Sequence, residues 1–307
     1  MDRRTFIAAG STALVGGLLG NPLRSDAAPG ALSVRATPKG PLITPPDKFF
    51  AYSQMRYPDK LPDGIQIDGL VNTPARYSID DLAKIPTIKK LLTLECYVNT
   101  AGGPLIFTTP FEGVPLSALF DKAGVKPEAV SARIECSDGH PAFLLPLTEL
   151  RRKETMLVSK HGGQAVPMRH GSPYTRLFIP GAGGNHHPKW VSRITLVANK
   201  AVEHPAPPMA GFLSPAPPTV VGTMAGVTLT GYAYCGAEPV GKVEVSTDNG
   251  YTYRAMPLPP QPDPDLWVTW ELTFKPPQTG FYVLRVKATS LSGRKQDFPG
   301  VIAVEVR

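Results

Sequence analysis

Three segments carry the residue types best suited to chemistry. The first is Thr93-Leu94-Glu95-Cys96-Tyr97-Val98-Asn99. Leu91 to Cys96 reads as an apolar strand, so Cys96 stands where that strand opens into a Gly-containing loop and can present its sulfur to a ligand. Thiolate is a soft ligand suited to a transition metal. Metal binding would deprotonate it outright, overriding the acid-raising effect of the adjacent Glu95. A lone cysteine at a strand end also reads as a small core residue. The second segment is His170-Gly171-Ser172-Pro173-Tyr174-Thr175-Arg176, and the third runs from Ile179-Pro180-Gly181-Ala182-Gly183-Gly184 to Asn185-His186-His187-Pro188-Lys189-Trp190. Three glycines within four residues let backbone approach a ligand closely and expose N–H groups to it. Arg176 offers a planar fork and Lys189 a point charge, a pairing suited to a phosphate-bearing anion. No Gly-Lys-Ser/Thr opens a helix, so this is not a Walker loop. The bland alternative is a Gly-rich turn with solvated basic residues.

A different donor set is Cys136, His140, His186 and His187, whose sulfur and nitrogen atoms would suit zinc or copper, although their spacing matches no recognised zinc pattern. Cys96, Cys136 and Cys235 are too few for a disulfide scaffold, and their odd number leaves at least one thiol free. Cys136 and Cys235 read as buried thiols.

The elements that must position these residues are short. Pro and Gly make up about 21% of the chain, against a usual total near 12%, which favours turns and extended strands over a helix bundle. Ile65 to Val71, Ala132 to Cys136 and Leu177 to Ile179 read as strands, Ser78-Ile79-Asp80-Asp81 as a capped helix start, and Val114 to Phe120 as a short helix with Pro in its first turn. Short strands and helices mixed in this way give an α+β domain over residues 47–203. Residues 29–46 read as an extended arm and the proline-heavy 204–218 as a stiff linker. From 219 to 307 the segments are β-like. Lys242 to Ser246 and Phe281 to Val286 alternate, and Asp248-Asn249-Gly250 signals a hairpin, so the region reads as an all-β sandwich. Trp267 and Trp270 lie three apart and face opposite sides, one to the core and one to the surface or an interface.

The chain has 307 residues and a formal charge of +7, with Lys and Arg scattered and no basic–aromatic stripe. That balance fits an anionic ligand or an acidic partner and argues against nucleic acid. Residues 1–28, with Arg3-Arg4-Thr5-Phe6 ahead of a short apolar run, read as a twin-arginine-type export signal. The run is too short and Gly-rich to span a bilayer well, so a periplasmic protein without stable membrane insertion is expected.

Taken in order along the chain, several segments resemble the sulfite oxidase family of molybdopterin enzymes. They are Phe49-Phe50, Ile67-Asp68-Gly69-Leu70-Val71, Leu94-Glu95-Cys96 with Asn99, Gly113 to Leu119, His170-Gly171 to Arg176, Pro180-Gly181 with Gly184, and Lys189-Trp190. The segment Val243 to Gly250 resembles the family's Ig-like dimerisation domain. The resemblance implies an α+β molybdopterin-binding domain followed by an Ig-like sandwich, and implies a homodimer. It makes Cys96 the protein ligand of molybdenum, and has His170, Arg176 and His187-Pro188-Lys189 hold the pterin and its phosphate. The loop Phe50-Ala51-Tyr52-Ser53-Gln54 and the segment around Ser137 would line the pterin from the other side. The metal would carry oxygen-atom transfer to or from a small-molecule substrate, while the protein orients and tunes it.

Departures from the family pattern bear on that substrate. The arginines with which sulfite oxidases hold an oxyanion are replaced here by Tyr52, by Thr100-Ala101 and by Pro110, and the active-site tyrosine aligns with Ser159. Losing such groups weakens binding of a small dianion by about 1.5–3 kcal/mol per charged hydrogen bond. Arg56, Lys160, His161 and His186 are the candidates to compensate. The expected substrate is less charged or larger than sulfite. The alternatives are a sulfite dehydrogenase with rearranged anion-binding residues and a non-catalytic binding module on the same fold. No haem-attachment Cys-x-x-Cys-His occurs, so electrons would pass to a separate c-type cytochrome, whose acidic surface the basic chain would attract.

Overall fold

The computed structural model describes residues 31–35, 43–53, 55–215, 219–258, 260–261 and 263–307. The expected export signal, 1–28, lies outside the described residues. The strands are β1 (Ala31–Arg35), β2 (Gly64–Gly69), β3 (Ala75–Ser78), β4 (Ile88–Glu95), β5 (Ile106–Pro115), β6 (Ser131–Cys136), β7 (Phe143–Pro146), β8 (Met156–His161), β9 (Gln164–Ala165), β10 (Arg176–Phe178) and β11 (Val191–Val197). They continue with β12 (Met209–Ser214), β13 (Thr219–Gly222), β14 (Val227–Tyr234), β15 (Val240–Ser246), β16 (Arg254–Met256), β17 (Val268–Lys275), β18 (Gly280–Ser290) and β19 (Gly300–Val306). Three short helices, α1 (Ile79–Ala83), α2 (Leu116–Ala123) and α3 (Leu147–Leu150), all lie in the first half.

Local chemistry sets the helix ends. Ser78 Oγ accepts from the Asp81 N–H at 3.1 Å while the Asp81 carboxylate accepts from the Ser78 N–H at 3.2 Å, which closes the capping box read from the sequence. Pro115 precedes α2 as its N-cap rather than sitting in its first turn, and Gly124, at φ +64°, ends the helix in the left-handed conformation that glycine adopts without strain.

Two sheets build the first domain, ordered β3-β2-β11-β6-β7 and β10-β8-β5-β4, with β9 added to β8. The parallel pair β2–β11 joins residues more than a hundred positions apart. An aliphatic core fills the space between the sheets and the helices. A second, aromatic core of Phe49, Phe107, Phe111 and Phe178 packs with Leu92, Leu94 and Met156. The second domain is a sandwich of two sheets, β1-β17-β14-β12 and β13-β19-β18-β15-β16, antiparallel except for β13 on β19. Trp270, Leu272, Phe274, Tyr282 and Leu284 fill its interior. The mixed α+β domain followed by an Ig-like all-β unit is the architecture expected from the sequence.

Two stretches differ from their sequence reading. Met209–Ser214, inside the stretch read as a linker, is strand β12, paired antiparallel with β14. Proline punctuates its ends, and Ala210 and Phe212 point into the sandwich core. The arm segment β1 pairs with β17, so it belongs to the second domain's sheet. Asn249 and Gly250 do take positive φ between β15 and β16, but within a longer loop that Arg285 fastens through the Asn249 side chain.

The domains meet along β4. Tyr232, Tyr234, Trp267 and Met209 of the second domain pack with Ile106 and Ala206. Trp267 faces this boundary and Trp270 the core, as their spacing required. Beside the apolar cluster, Asp265, 3% exposed, accepts from Lys90 Nζ at 3.0 Å and Arg152 Nη2 at 2.9 Å, while its backbone oxygen accepts from the Thr93 N–H. Without Asp265, Arg152 loses its carboxylate while Lys90 keeps Asp263 and Glu154, and breaking such a partly buried network costs about 3 kcal/mol. Asp265→Ala is therefore expected to lower Tm by about 5–10 °C at this chain length, measured by thermal unfolding. An unchanged Tm would show that the pair contributes nothing.

Candidate functional site

Cys96 follows the last residue of β4, and the surroundings fix it from three sides. Its N–H donates to the Leu105 oxygen at 2.9 Å, and its own oxygen accepts from the Asn99 N–H at 2.9 Å, which closes a tight turn. The Asn99 side-chain amide donates to Glu95 Oε1 at 3.1 Å and to the Tyr232 hydroxyl at 3.3 Å, while Asn99 Oδ1 accepts from the Leu105 N–H. Gly184 presses against the turn from the third side. A Cβ there would lie 2.5 Å from the Glu95 oxygen and 2.8 Å from the Cys96 Cα, so only glycine fits. Burial pushes the Cys96 thiol above its ordinary value and the Glu95 charge adds to this, while the Val98 and Tyr97 N–H groups and Lys189 pull the other way.

The second and third chemical segments form the opposite wall. Their backbone is strained where it serves them: Ser172, Tyr174 and Trp190 all take φ between +53° and +64°, uncommon for non-glycine residues and costly for a tryptophan. These bends place Arg176 at the start of β10, 5% exposed, with Nη1 donating to the His170 oxygen at 2.6 Å. Among the described residues no carboxylate lies within ion-pair distance of Arg176 or Lys189. Burial lowers Arg176 to about 10. Burial and the Arg176 charge lower Lys189 to about 7, against the opposing pull of Cys96 and Asp138. Lys189 Nζ donates to the Tyr52 oxygen and so ties the loop at Phe50–Ser53 across the cleft. His170 is lowered to about 3 by burial first and then by Arg176.

These walls enclose a cleft with about 760 Å³ of empty space. Of the residues singled out from the sequence, Phe50, Tyr52, Cys96, His170, Arg176, His187 and Lys189 all line it. Ser137 does not, though its neighbours Cys136 and Asp138 do; its N–H donates to the Trp190 oxygen and anchors the lysine-bearing loop. His187 lines the cleft, but its ring is committed elsewhere. Nδ1 accepts from the Ile179 N–H at 3.1 Å, so the proton sits on Nε2 and is donated to the Ala182 oxygen at 3.2 Å. Its side chain holds the glycine loop rather than offering a free nitrogen to a ligand. Burial lowers it to about 3, which keeps that neutral tautomer.

The segment around Ser137 does reach the cleft, but through Asp138, His140 and Phe143, of which sequence reasoning had singled out only His140, and for a different site. The His140 ring stacks on Phe143 at 4.4 Å and the His140 backbone N–H is capped by the Asp138 carboxylate. The available signal was that β6 ends in a cysteine and opens into a polar turn, much as Cys96 directly follows β4. Neither the departures nor their candidate substitutes restore cations here. Pro110 sits within β5 and pairs with Leu91, Ser159 is buried and donates to the Glu112 oxygen, and Thr100 and Ala101 line a separate cavity at the domain boundary. Arg56 is exposed away from the cleft, Lys160 pairs with Glu112, His161 lies behind His170, and His186 stacks on His204 at 3.9 Å. Among the described residues no three His, Cys, Asp or Glu side chains are grouped to hold a metal, so Cys136, His140, His186 and His187 do not form the alternative zinc or copper site. No disulfide joins Cys136 to Cys235; all three cysteines are free.

Comparison with known proteins agrees with this geometry. Residues 59–204 match the oxidoreductase molybdopterin binding domain. The mitochondrial sulfite oxidase of Rattus norvegicus is 24% identical over 271 residues, covering 70% of this chain and 49% of its own. The NADH nitrate reductase of Solanum lycopersicum is 26% identical over 166 residues, 45% of this chain and 18% of its own. The chain thus spans about half the length of the sulfite oxidases it matches. Among solved structures, the sulfane dehydrogenase SoxCD from Paracoccus pantotrophus superposes with a TM-score of 0.67 at 22% identity, over 92% of this chain and 80% of that one. Residues 59–204, which hold the strand-end thiol and the buried guanidinium facing it, therefore form a molybdopterin oxidoreductase domain of the sulfite oxidase family.

Proposed function

We propose that the chain is a molybdenum-cofactor oxidoreductase, exported to the periplasm by its twin-arginine-type leader, with Cys96 as the protein ligand of the metal. The observation that carries this is a single cleft with the Cys96 thiol on one wall and on the other a buried Arg176 that no carboxylate among the described residues offsets. A buried charge without a partner is expensive, so this arrangement is stable when a ligand supplies the anion. Arg176 and Lys189 would hold a pterin phosphate, and the Cys96 thiol would bind a metal cation as thiolate. The residues present therefore fit the group.

When bound, the molybdenum supplies oxygen-atom transfer and the two-electron step. The chain's own residues hold and screen it. His170, Arg176 and Lys189 would hold the pterin and its phosphate. Phe50 and Tyr52 would line it, and His187 and Gly184 keep the glycine loop against Cys96. Substrate would enter past Asp138, His140 and Asn185, a rim without arginine. This supports a substrate less charged or larger than sulfite, for which the reduced sulfur in the sulfane dehydrogenase's name is one model. Electrons would leave to a separate c-type cytochrome drawn by the basic surface, and the Ig-like domain would pair two copies.

Two outcomes test this reading. Protein exported from a molybdenum-replete host is expected to hold about one molybdenum per chain by elemental analysis, and Cys96→Ser to fold with the metal depleted or spectroscopically altered. A well-folded parent with neither molybdenum nor pterin would sink the proposal. The second outcome concerns acid stability. His161 and His186 are lowered to about 4, and His170 and His187 to about 3, from an ordinary 6.5, each mainly by burial. Between about 6.5 and those values the unfolded chain binds more protons than the folded one, so stability falls as pH drops through this window. Lys189 adds the same sign between about 7 and its ordinary 10.5. Tm of the cofactor-free protein should thus fall steeply from pH 6.5 to 4. The loaded protein, with phosphate charge beside His170 and Lys189, should show a shallower slope; parallel slopes would contradict an anion at this wall.

A further inference from the structure

The turn that carries Cys96 is held from the second domain as well as from its own. It runs from Cys96 to Leu105, and the bond from the Cys96 N–H to the Leu105 oxygen closes its base. Strand β12 of the sandwich lies against its far end. A Cβ at Gly211 would stand 2.7 Å from the Gly102 Cα and 2.8 Å from the Ala101 carbonyl carbon, so backbone meets backbone there with no side chain between. From the neighbouring strand β14, Tyr232 enters the turn itself. Its hydroxyl accepts from the Asn99 side-chain amide at 3.3 Å and from the Gly102 N–H, and it donates to Glu95 Oε1 at 3.5 Å. Glu95, Asn99 and Tyr232 are all buried, so the network is closed to solvent. Asn99 is its centre. The Asn99 amide also donates to Glu95, its Oδ1 accepts from the Leu105 N–H at 3.0 Å, and its backbone N–H donates to the Cys96 oxygen. The residues before and after the thiol are therefore tied to one phenol that belongs to the other domain.

We propose that Tyr232 is a positioning residue for the metal ligand, fixing through Asn99 and Glu95 the direction in which Cys96 presents its sulfur. The inference rests on the reading of Cys96 as the protein ligand of molybdenum. The groups that hold a ligand in place set its orientation and tune the metal it binds. Here the sulfur faces the cleft, while the backbone that aims it is gripped from behind by the Asn99 network. Tyr234 supplies the comparison. It lies two residues on in the same strand, is equally buried, and crosses the same boundary, but its hydroxyl bonds the Thr93 oxygen at 3.5 Å, within β4, and not the turn. Tyr234 therefore holds the strand that leads to the cysteine, and Tyr232 holds the turn that points it.

The test compares Tyr232→Phe with Tyr234→Phe, each of which loses one buried hydroxyl at the domain boundary. In loaded holoprotein, Tyr232→Phe is expected to retain molybdenum but to shift the g-values of the EPR signal seen after partial reduction with dithionite. It should also release the cofactor on mild warming about ten- to a hundredfold faster than the parent. Tyr234→Phe is expected to keep the parental signal, whereas a merely structural loss at the boundary would act alike in both. In cofactor-free protein, iodoacetamide should label Cys96 about tenfold faster in Tyr232→Phe, the local opening that one buried hydrogen bond opposes. Cys136, in the same cleft, serves as the unchanged internal reference. If Tyr232→Phe fails to fold, Asn99→Asp breaks the link from its other end: a carboxylate still accepts from the Leu105 N–H but donates to neither Tyr232 nor Glu95, and the same shifts are expected. A parent without molybdenum would overturn the reading of Cys96 as the ligand. Loaded variants with the parental EPR signal would overturn the positioning role alone.

Discussion

The buried guanidinium of Arg176 is the constraint around which the first domain is arranged. A cation 5% exposed with no carboxylate in reach among the described residues is destabilising by itself, and the surrounding chain is spent on placing it. The left-handed residues Ser172, Tyr174 and Trp190 bend the backbone so that Arg176 and Lys189 reach the same cleft from two different loops. Gly171 belongs to the same device: at φ +113° a side chain there would crowd both Arg176 and Lys189. Burial first, and the Arg176 charge after it, lower His170 and His187 to about 3 and Lys189 to about 7. Strain, depressed basicity and an uncompensated cation at one place are the marks of a site completed by an anionic ligand.

The opposing thiol depends on the second domain. Cys96 is positioned by the end of β4, and β4 is held through Thr93, whose hydroxyl meets Thr108 at 2.7 Å and accepts from the Trp267 N–H. Asp265 draws Lys90 and Arg152 to the same seam, and Tyr232 reaches the Glu95–Asn99 pair immediately behind the cysteine. The sandwich domain is therefore part of the scaffold of the site, not an appendage. A shift at the domain boundary is transmitted to the sulfur through one strand.

How much of this could be read in advance follows from how local each feature is. Cys96, Arg176 and Lys189 were legible because a strand end or a glycine-rich loop a few residues long defines them. The capping box at Ser78 and the two-domain division were legible for the same reason, as was the division of Trp267 and Trp270 between interface and core. The turn after β6 was legible only as the segment around Ser137; that Asp138 and Phe143 are the residues facing the cleft was not, because the turn reaches it through the pairing of β6 with β11, whose partners are more than fifty residues apart. Strand β12 was hidden by proline content: prolines at strand ends and edges look like a linker in composition. His187 had the right location but not the right role, since the hydrogen bonds that occupy its ring come from backbone groups that sequence cannot place.

The poverty of the cleft in arginine is as informative as the presence of Arg176. The two cations on its described walls, Arg176 and Lys189, belong to the two loops proposed to hold the phosphate end of the ligand. The remaining rim is Asp138, His140, Phe143, Tyr97 and Asn185. His140 has one ring nitrogen engaged by the Pro141 oxygen and its face on Phe143, so it is rigid and offers one polar edge beside an aromatic surface. Asp138 places negative charge on the same side. A small dianion entering there meets a carboxylate and no fixed cation, and it loses water without gaining a charged partner. A neutral or bulkier sulfur or oxygen compound loses less on desolvation and gains the aromatic contact. Charge at this cleft is thus divided by position, with the cations on the two loops where the cofactor is proposed to bind and the entrance left to polarity and shape.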